Sequence, residues 1–161
     1  MKKGTVTNHL VVNHGAGTVD RHYLNGRVEH DIGSHCGKGA RQIRVGGECV
    51  LLHRYIYSDF HGPIAPWMQI DHIHGKEAGN GIGNLRWTDA RGNSMNQRRA
   101  HKDGSSGLLG VHHAKNCTRN PWRATITVAG KRMNLGNYKT AEEAHQVYLA
   151  AKRDMHPTCT I

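Results

Sequence analysis

One polar stretch, from Gln69 to Gln97, restricts the fold of this chain more than any other part of the sequence. A loop rich in glycine and asparagine divides it, and a short apolar run then leads to a polar segment that Thr88 is suited to cap as a helix. Five of its side chains suit chemistry better than packing: Asp71, His72, Asn80, Asn84 and Asn93. The stretch therefore predicts a strand or hairpin, a loop and a helix folded around one divalent cation.

The chemistry of these side chains indicates which cation and which base to expect. The Asp71 carboxylate and an asparagine carbonyl are hard oxygen donors, which suit Mg²⁺ or Mn²⁺ better than Zn²⁺. The His72 imidazole changes protonation near neutral pH, as a general base acting on water must. Successive strand residues point to opposite faces, so Asp71 and His72 reach one site only if the backbone bends there. The alternative is that the pair is ordinary surface polarity and that the asparagines stabilise turns.

The order of these residues resembles the HNH nuclease motif, in the variant of phage and intron-encoded HNH homing endonucleases. The similarity covers about residues 41–99, and its pattern consists of Asp71-His72, Asn84-Leu85-Arg86 and Asn93-Ser94 with Asn96. The resemblance implies a ββα-metal catalytic region in which Asp71 and Asn93 bind the metal and His72 is the base. It also implies that Asn84 holds the loop and keeps His72 oriented.

The same resemblance implies an activity. We expect a site-specific, metal-dependent DNA endonuclease of the homing type, which leaves 5′-phosphate and 3′-hydroxyl ends. Asn93 replaces the histidine of the third motif position, as in one nickase branch of the family, and this favours nicking of one strand. Gly92 stands where the family often has glutamate. Two alternatives stay open: a DNA-binding regulator that uses the region as an inactive scaffold, and a protein that binds or cuts RNA.

The whole-chain composition favours a polyanionic partner. The chain has 161 residues and a formal charge of +10, from 22 Lys and Arg against 12 Asp and Glu. This balance predicts nucleic acid, here double-stranded DNA, as the partner of a monomer or homodimer, with Mg²⁺ or Mn²⁺ and no small-molecule cofactor. No apolar run approaches the roughly 18 residues of a membrane span, so we expect no membrane partner and a cytoplasmic location, in the host cell if a phage encodes the protein.

Cysteine usage argues against a disulfide framework. Cys36, Cys49, Cys117 and Cys159 are scattered and form no C-x-x-C pair. A structural zinc that includes Cys36 and Cys49 is an open alternative to reduced thiols.

Local patterns predict an α+β fold. Asn25-Gly26 and Gly46-Gly47 each separate two strand-like runs and predict two β-hairpins in the first fifty residues. Arginines on these hairpins are candidate DNA contacts. Apolar residues at helical spacing predict a helix from about Leu52 to Phe60, and a second helix is predicted from Thr88 to about Arg99. Basic residues beside the expected metal are candidates for binding the flanking phosphates: Arg86, Arg91, Arg98 and Arg99.

A change of pattern marks a second domain. We expect a nuclease domain over residues 1–102, a Gly/Ser-rich linker over 103–107 and a DNA-binding domain over 108–161. Strands are predicted at residues 108–113, 122–128 and 131–138, the last two joined at Ala129-Gly130. A capping box at residues 140–143 then opens an amphipathic helix. The expected architecture is a small three-stranded antiparallel sheet with one helix packed on it.

This second domain resembles the DNA-binding domain of plant ethylene-response factors, which also occurs in phage HNH endonucleases. The residues that carry the resemblance are Gly110-Val111, Trp122-Arg123-Ala124, Leu135-Gly136 with Tyr138, and the run at 140–144. In that family the exposed face of the sheet enters the major groove. By position, the residues expected to contact DNA are Lys115, Arg119, Trp122, Arg123 and Arg132.

Overall fold

The computed structural model describes residues 8–37, 39–100, 102 and 104–161, and it has a mixed α+β fold of small antiparallel sheets and three α-helices. Its contacts divide the chain into two compact units, Met1–Asp89 and Ala90–Ile161. This division falls before the linker expected at 103–107, of which Asp103 lies outside the described residues. No helix in the described ranges is long and apolar enough to cross a membrane.

The first unit begins with two three-stranded antiparallel sheets. Their strands are β1 (His9–Asn13), β2 (Thr18–His22) and β3 (Val28–Glu29), then β4 (Ser34–Cys36), β5 (Ala40–Val45) and β6 (Glu48–Leu51). Both predicted hairpins are confirmed. Asn25-Gly26 lies in the turn between β2 and β3, and Gly46-Gly47 joins β5 to β6. Gly46 and Gly47 have φ values of 57° and 92°, which glycine adopts more readily than any other residue.

The rest of the first unit packs one helix against a two-stranded ladder. The helix α1 runs over Leu52–His61 and ends at Gly62, which confirms the predicted helix to within one residue. It is followed by the antiparallel pair β7 (Gln69–His72) and β8 (Leu85–Thr88). The apolar core of this unit consists of Val19, Ile43, Leu52, Ile56, Tyr57, Ile70 and Leu85. Ile70 and Leu85 belong to β7 and β8, so the core anchors the strands that carry the candidate site.

The second unit contains a short helix and a covered sheet. Its elements are α2 (Ala90–Met95), β9 (Val111–His113), β10 (Trp122–Val128), β11 (Lys131–Tyr138) and α3 (Ala141–Met155). The strand β10 lies between β9 and β11, and the predicted three-stranded antiparallel sheet is confirmed. Ala129 and Gly130, both with positive φ, close the turn between β10 and β11. The core joins Ala124 and Ile126 of β10 to Ala144 and Tyr148 of α3.

Hydrogen bonds at the start of α3 explain where this helix begins. The Thr140 side chain accepts a hydrogen bond from Glu143 N at 3.2 Å, as an N-cap threonine should. The Glu143 carboxylate in turn accepts from Lys139 N at 3.2 Å, one residue earlier than in a standard capping box. The predicted capped helix is therefore present.

The second predicted helix is shorter than expected. It was predicted from Thr88 to about Arg99, but α2 has six residues and ends at Met95. Thr88 pairs with Gln69 as the last residue of β8, so it belongs to the ladder instead of capping the helix. After Met95 the chain leaves the helix, and the Gln97 carbonyl accepts a hydrogen bond from the side chain of Lys152.

Candidate functional site

Asp71 and His72 are the last two residues of β7, and the ladder continues through both. Asp71 pairs with Arg86 and His72 with Leu85 across to β8. The backbone does not bend between Asp71 and His72, because the chain turns only after His72, where Gly75 N donates to the His72 carbonyl at 3.1 Å. On a regular strand the two side chains extend to opposite faces, so a common site for Asp71 and His72 rests on the motif and not on the geometry of β7.

Asp71 forms an ion pair with its cross-strand neighbour. The Arg86 guanidinium donates to Asp71 Oδ2 through Nε at 3.2 Å and through a terminal nitrogen at 2.9 Å. The Asp71 side chain is only 10% exposed, so this pair is shielded from solvent. Arg86, expected from the sequence to bind a DNA phosphate, is thus a partner of the candidate metal ligand.

The His72 imidazole is held by Asn80. His72 Nε2 lies 2.9 Å from Asn80 Oδ1. Because a carbonyl oxygen only accepts, Nε2 carries the proton in this arrangement and Nδ1 keeps the lone pair. His72 is buried, with 8% of its surface exposed, and it lines a pocket of about 240 Å³ together with Asn80 and His53. In the neutral ring the basic nitrogen is therefore Nδ1.

Asn84 fixes the loop that carries Asn80. Its Oδ1 accepts from His74 N at 2.8 Å, and its Nδ2 donates to the carbonyls of Gly75 at 3.1 Å and Gly79 at 2.7 Å. The side chain is buried and spans the base of the loop. Asn84 therefore acts on the loop backbone, whereas Asn80 makes the side-chain hydrogen bond with His72. For Asn80 the sequence indicated only a place in the motif.

The turn between β1 and β2 packs directly behind this loop. Gly17 has a φ of 71°, and a Cβ added there would lie 2.2 Å from the Asn80 carbonyl carbon. A Cβ on Gly81 would lie 2.5 Å from the Gly15 carbonyl oxygen. Only glycine fits such backbone-to-backbone contacts. The amino-terminal hairpin is thus part of the support for Asn80.

A second imidazole lies against the candidate base. The ring centroids of His53 and His72 are 5.2 Å apart. Burial, with the nearby charges of His72, Lys76 and Arg54, lowers the pKa of His53 to about 4. His53 is therefore neutral at physiological pH and adds no charge beside His72. The sequence places it on α1 but gives no signal of this contact.

The donor groups fit a hard cation only in part. Asp71 supplies a carboxylate, which accepts from several partners at once and so is compatible with both Arg86 and a metal. Among the residues that the structure describes, no group of three or more His, Cys, Asp and Glu side chains is placed to hold a metal, and all four cysteines are free. Asn93 is exposed on α2 and belongs to the second unit. Its role as a second metal ligand stays a prediction from the sequence.

The predicted DNA-contacting residues of the second unit fall into two groups. Arg123 donates to Asn137 Oδ1 at 2.9 Å, and Arg132 donates to Thr125 Oγ1 at 3.2 Å. These bonds order two guanidinium groups on the sheet. The other basic residues are exposed: Arg91, Arg98 and Arg99 in or after α2, and Lys115 and Arg119 between β9 and β10.

Trp122 differs from these basic residues in its surroundings. It is partly buried and packs against the core cluster that contains Ala124 and Ile126, two residues on the α3 side of β10. It also meets the His113 ring edge-to-face at 5.3 Å. This packing favours a structural role for Trp122 over the DNA contact expected from its position in the motif.

Several arginines of the first unit have carboxylate partners. Arg21 and Arg27 pair with Glu29 at 3.6 and 2.6 Å, and Arg41 pairs with Asp31 at 2.8 Å. Arg41 also donates to the backbone carbonyls of Asp31 and Ile32. These three residues link neighbouring strands and turns, and their role as DNA contacts stays a prediction from the sequence.

Comparison with known proteins places the chain in a family. No family model and no solved structure matches it. It is 32% identical to "Protein 3.8" of Escherichia phage T7 over 104 residues, which cover 65% of this chain and 83% of the phage protein. Because identity at this level extends over most of the relative, the chain belongs to the family of Protein 3.8 of phage T7.

Proposed function

We propose that this protein is a Mg²⁺- or Mn²⁺-dependent DNA endonuclease of the HNH type. The observation that carries the proposal is the hydrogen bond from His72 to Asn80. It fixes the imidazole in a pocket and leaves Nδ1 as the basic nitrogen. A histidine that serves only as surface polarity needs no such support. The motif order supports the same function.

In the proposed reaction His72 Nδ1 takes a proton from a water that attacks the scissile phosphorus. Asn80 keeps the proton on Nε2, and Asn84 keeps Asn80 in place through the loop backbone. Asp71 and Asn93 are the residues that, by the motif, would hold the divalent cation. When bound, the cation neutralises charge on the phosphate and stabilises the leaving 3′ oxygen. The products carry 5′-phosphate and 3′-hydroxyl ends, and one site per chain nicks one strand.

The second unit is proposed to bind the duplex. Arg123 and Arg132 supply ordered guanidinium groups, which suit guanine edges and phosphates. The net charge of +10 supports a polyanionic partner, and the phage relative supports action in a host-cell cytoplasm. We expect Arg132→Ala to weaken duplex binding and to lower the slope of log K against log salt by about 1. Lys139→Ala, which removes an equal charge at the start of α3, is the matched control.

A plasmid assay tests the activity. Supercoiled plasmid incubated with the protein and Mg²⁺ should become relaxed, whereas His72→Ala should bind DNA equally and leave the plasmid supercoiled. Cleavage by His72→Ala at the wild-type rate would exclude the base assignment. Asp71→Ala and Asn93→Ala should raise the Mg²⁺ concentration required, and unchanged metal titrations in both would remove these residues from the metal site.

One observation favours a second candidate function, a DNA-binding regulator without catalysis. The ion pair with Arg86 gives Asp71 a structural role that needs no metal. The plasmid assay separates the two functions, because a regulator shifts the plasmid in a gel but leaves it supercoiled at every Mg²⁺ concentration.

A further inference from the structure

We propose that the carboxyl-terminal segment, residues 157–161, is a strap that positions α2 and thereby the candidate metal ligand Asn93. The inference rests on the proposed function for the role of Asn93, but the contacts that support it lie within the second unit. It assigns the second unit a task besides DNA binding, namely to support one side chain of the active site.

The strap is hydrogen-bonded to the chain on both sides of Asn93. Thr158 Oγ1 donates to the Gly92 carbonyl at 2.9 Å, and Thr160 Oγ1 donates to Asn96 Oδ1 at 3.0 Å. Gly92 and Asn96 are both buried, with Asn96 only 5% exposed. Buried hydrogen bonds of this kind are costly to break because the groups then lack partners. Asn93, between these two points, is exposed and directed by the backbone that they fix.

Two basic side chains reinforce the strap. Arg98 donates to Thr160 Oγ1 at 2.6 Å and to the Thr160 carbonyl at 3.3 Å. Lys152 of α3 is 1% exposed, and its ammonium donates to the Gln97 carbonyl. This burial lowers the pKa of Lys152 below its ordinary value. A buried amine is retained when it has a partner, and here the partner is the chain that leaves α2.

The helix needs such support because it is weak on its own. With six residues, α2 is far below the length of about 12–15 residues at which an isolated helix becomes stable. Gly92, inside it, lowers helix propensity further. Contacts outside the helix must therefore determine its geometry. Thr158 and Thr160 supply two such contacts, to Gly92 and Asn96, and in this way the strap contributes to where Asn93 lies within its unit.

The test compares threonine with valine and serine at two positions. Thr158→Val and Thr160→Val, combined, keep the shape of both side chains and remove both donors. Thr158→Ser and Thr160→Ser, combined, keep the donors and are the matched control. Hydrogen exchange of residues 90–97 should accelerate about tenfold in the valine variant and stay near wild type in the serine variant. The Mg²⁺ midpoint of nicking should rise about tenfold in the valine variant, with duplex affinity in Ca²⁺ unchanged.

Each result decides a separate question. Unchanged exchange over residues 90–97 in the valine variant overturns the strap, whether or not the wild type cleaves DNA. Faster exchange with an unchanged Mg²⁺ midpoint overturns the effect on Asn93. Equal losses in the serine and valine variants also overturn the proposal, because the donors would then be irrelevant. If the wild-type protein leaves the plasmid supercoiled, the proposed function is refuted. Hydrogen exchange over residues 90–97 then remains the test of whether the strap stabilises α2.

Discussion

Replacing Asn84 with alanine should destabilise the first unit by about 3 kcal/mol. The substitution removes three hydrogen bonds, from His74 N and to the carbonyls of Gly75 and Gly79. Each is worth about 1 kcal/mol net, and a buried group left without a partner costs at least as much. With an m value of about 1.5 kcal/mol/M in urea, the loss corresponds to a midpoint lower by about 2 M.

The assay is equilibrium urea unfolding, followed alongside plasmid nicking under conditions in which the variant remains folded. Asn80→Ala is the informative comparison, because within the described part of the chain that side chain forms a hydrogen bond with His72. It should lose about 1 kcal/mol of stability but most of the nicking activity. Asn84→Ala should lose both stability, by about 3 kcal/mol, and most of the nicking activity. An Asn84→Ala midpoint equal to that of the wild type would refute the role of this side chain as the clamp of the loop.

Three further perturbations follow from the same unit. Gly17→Ala should destabilise the protein by about 2 kcal/mol or more in urea unfolding, because its Cβ would lie 2.2 Å from a backbone carbon. Gly26 also has a positive φ but has open space around it, so Gly26→Ala should lower the free energy of unfolding by about 1 kcal/mol. Equal losses of stability in the two variants would contradict the steric argument. Arg86→Met should lower the Mg²⁺ midpoint of nicking severalfold, since the guanidinium that competes for Asp71 is gone, and a raised midpoint would contradict this competition. His53, with a pKa of about 4 in the folded state against an ordinary 6.5, binds a proton more readily when unfolded, so stability should fall as pH drops from about 6.5 to 4, by at most about 3 kcal/mol. His53→Gln should flatten that part of the stability–pH curve, and an unchanged slope would exclude His53 as its source.

Elements specified by neighbouring residues were predictable from the sequence. The pair Gly46-Gly47 determines a turn by its backbone freedom, and Thr140 with Glu143 determines a helix start by local hydrogen bonds. The apolar spacing of Leu52 and Ile56 gave α1 to within one residue. In each case the residues that decide the structure lie within a few positions of each other.

The bounds of α2 were not predictable in this way. Thr88 is a good N-cap by residue type, but pairing with Gln69 places it in a strand. Which of the two roles it takes depends on a residue nineteen positions away (88 − 69 = 19), and local propensity carries no information about that contact. The hydrogen bonds of Thr158 and Thr160 join residues that are even farther apart in the sequence. The residue types around Asn93 therefore do not indicate these bonds.

The contacts within the candidate site were likewise only partly predictable from the sequence. The motif picks out Asp71, His72 and Asn84 by order and spacing, and it implies that Asn84 orients the imidazole. The structure gives the contact with the imidazole to Asn80 and gives Asp71 an arginine partner. Both contacts depend on the exact path of the loop and on the register of the ladder between β7 and β8, and neither of these can be read from residue types alone.

Acylation of the buried Lys152 amine would report on local opening of the second unit. Amine-selective acylating reagents need an accessible, unprotonated nitrogen, and at 1% exposure this one is shielded by the fold. Exposed lysines such as Lys115 and Lys139 have no such shielding. The rate at which Lys152 becomes acylated, read by mass spectrometry of its peptide, would therefore track transient separation of α3 from the chain after α2.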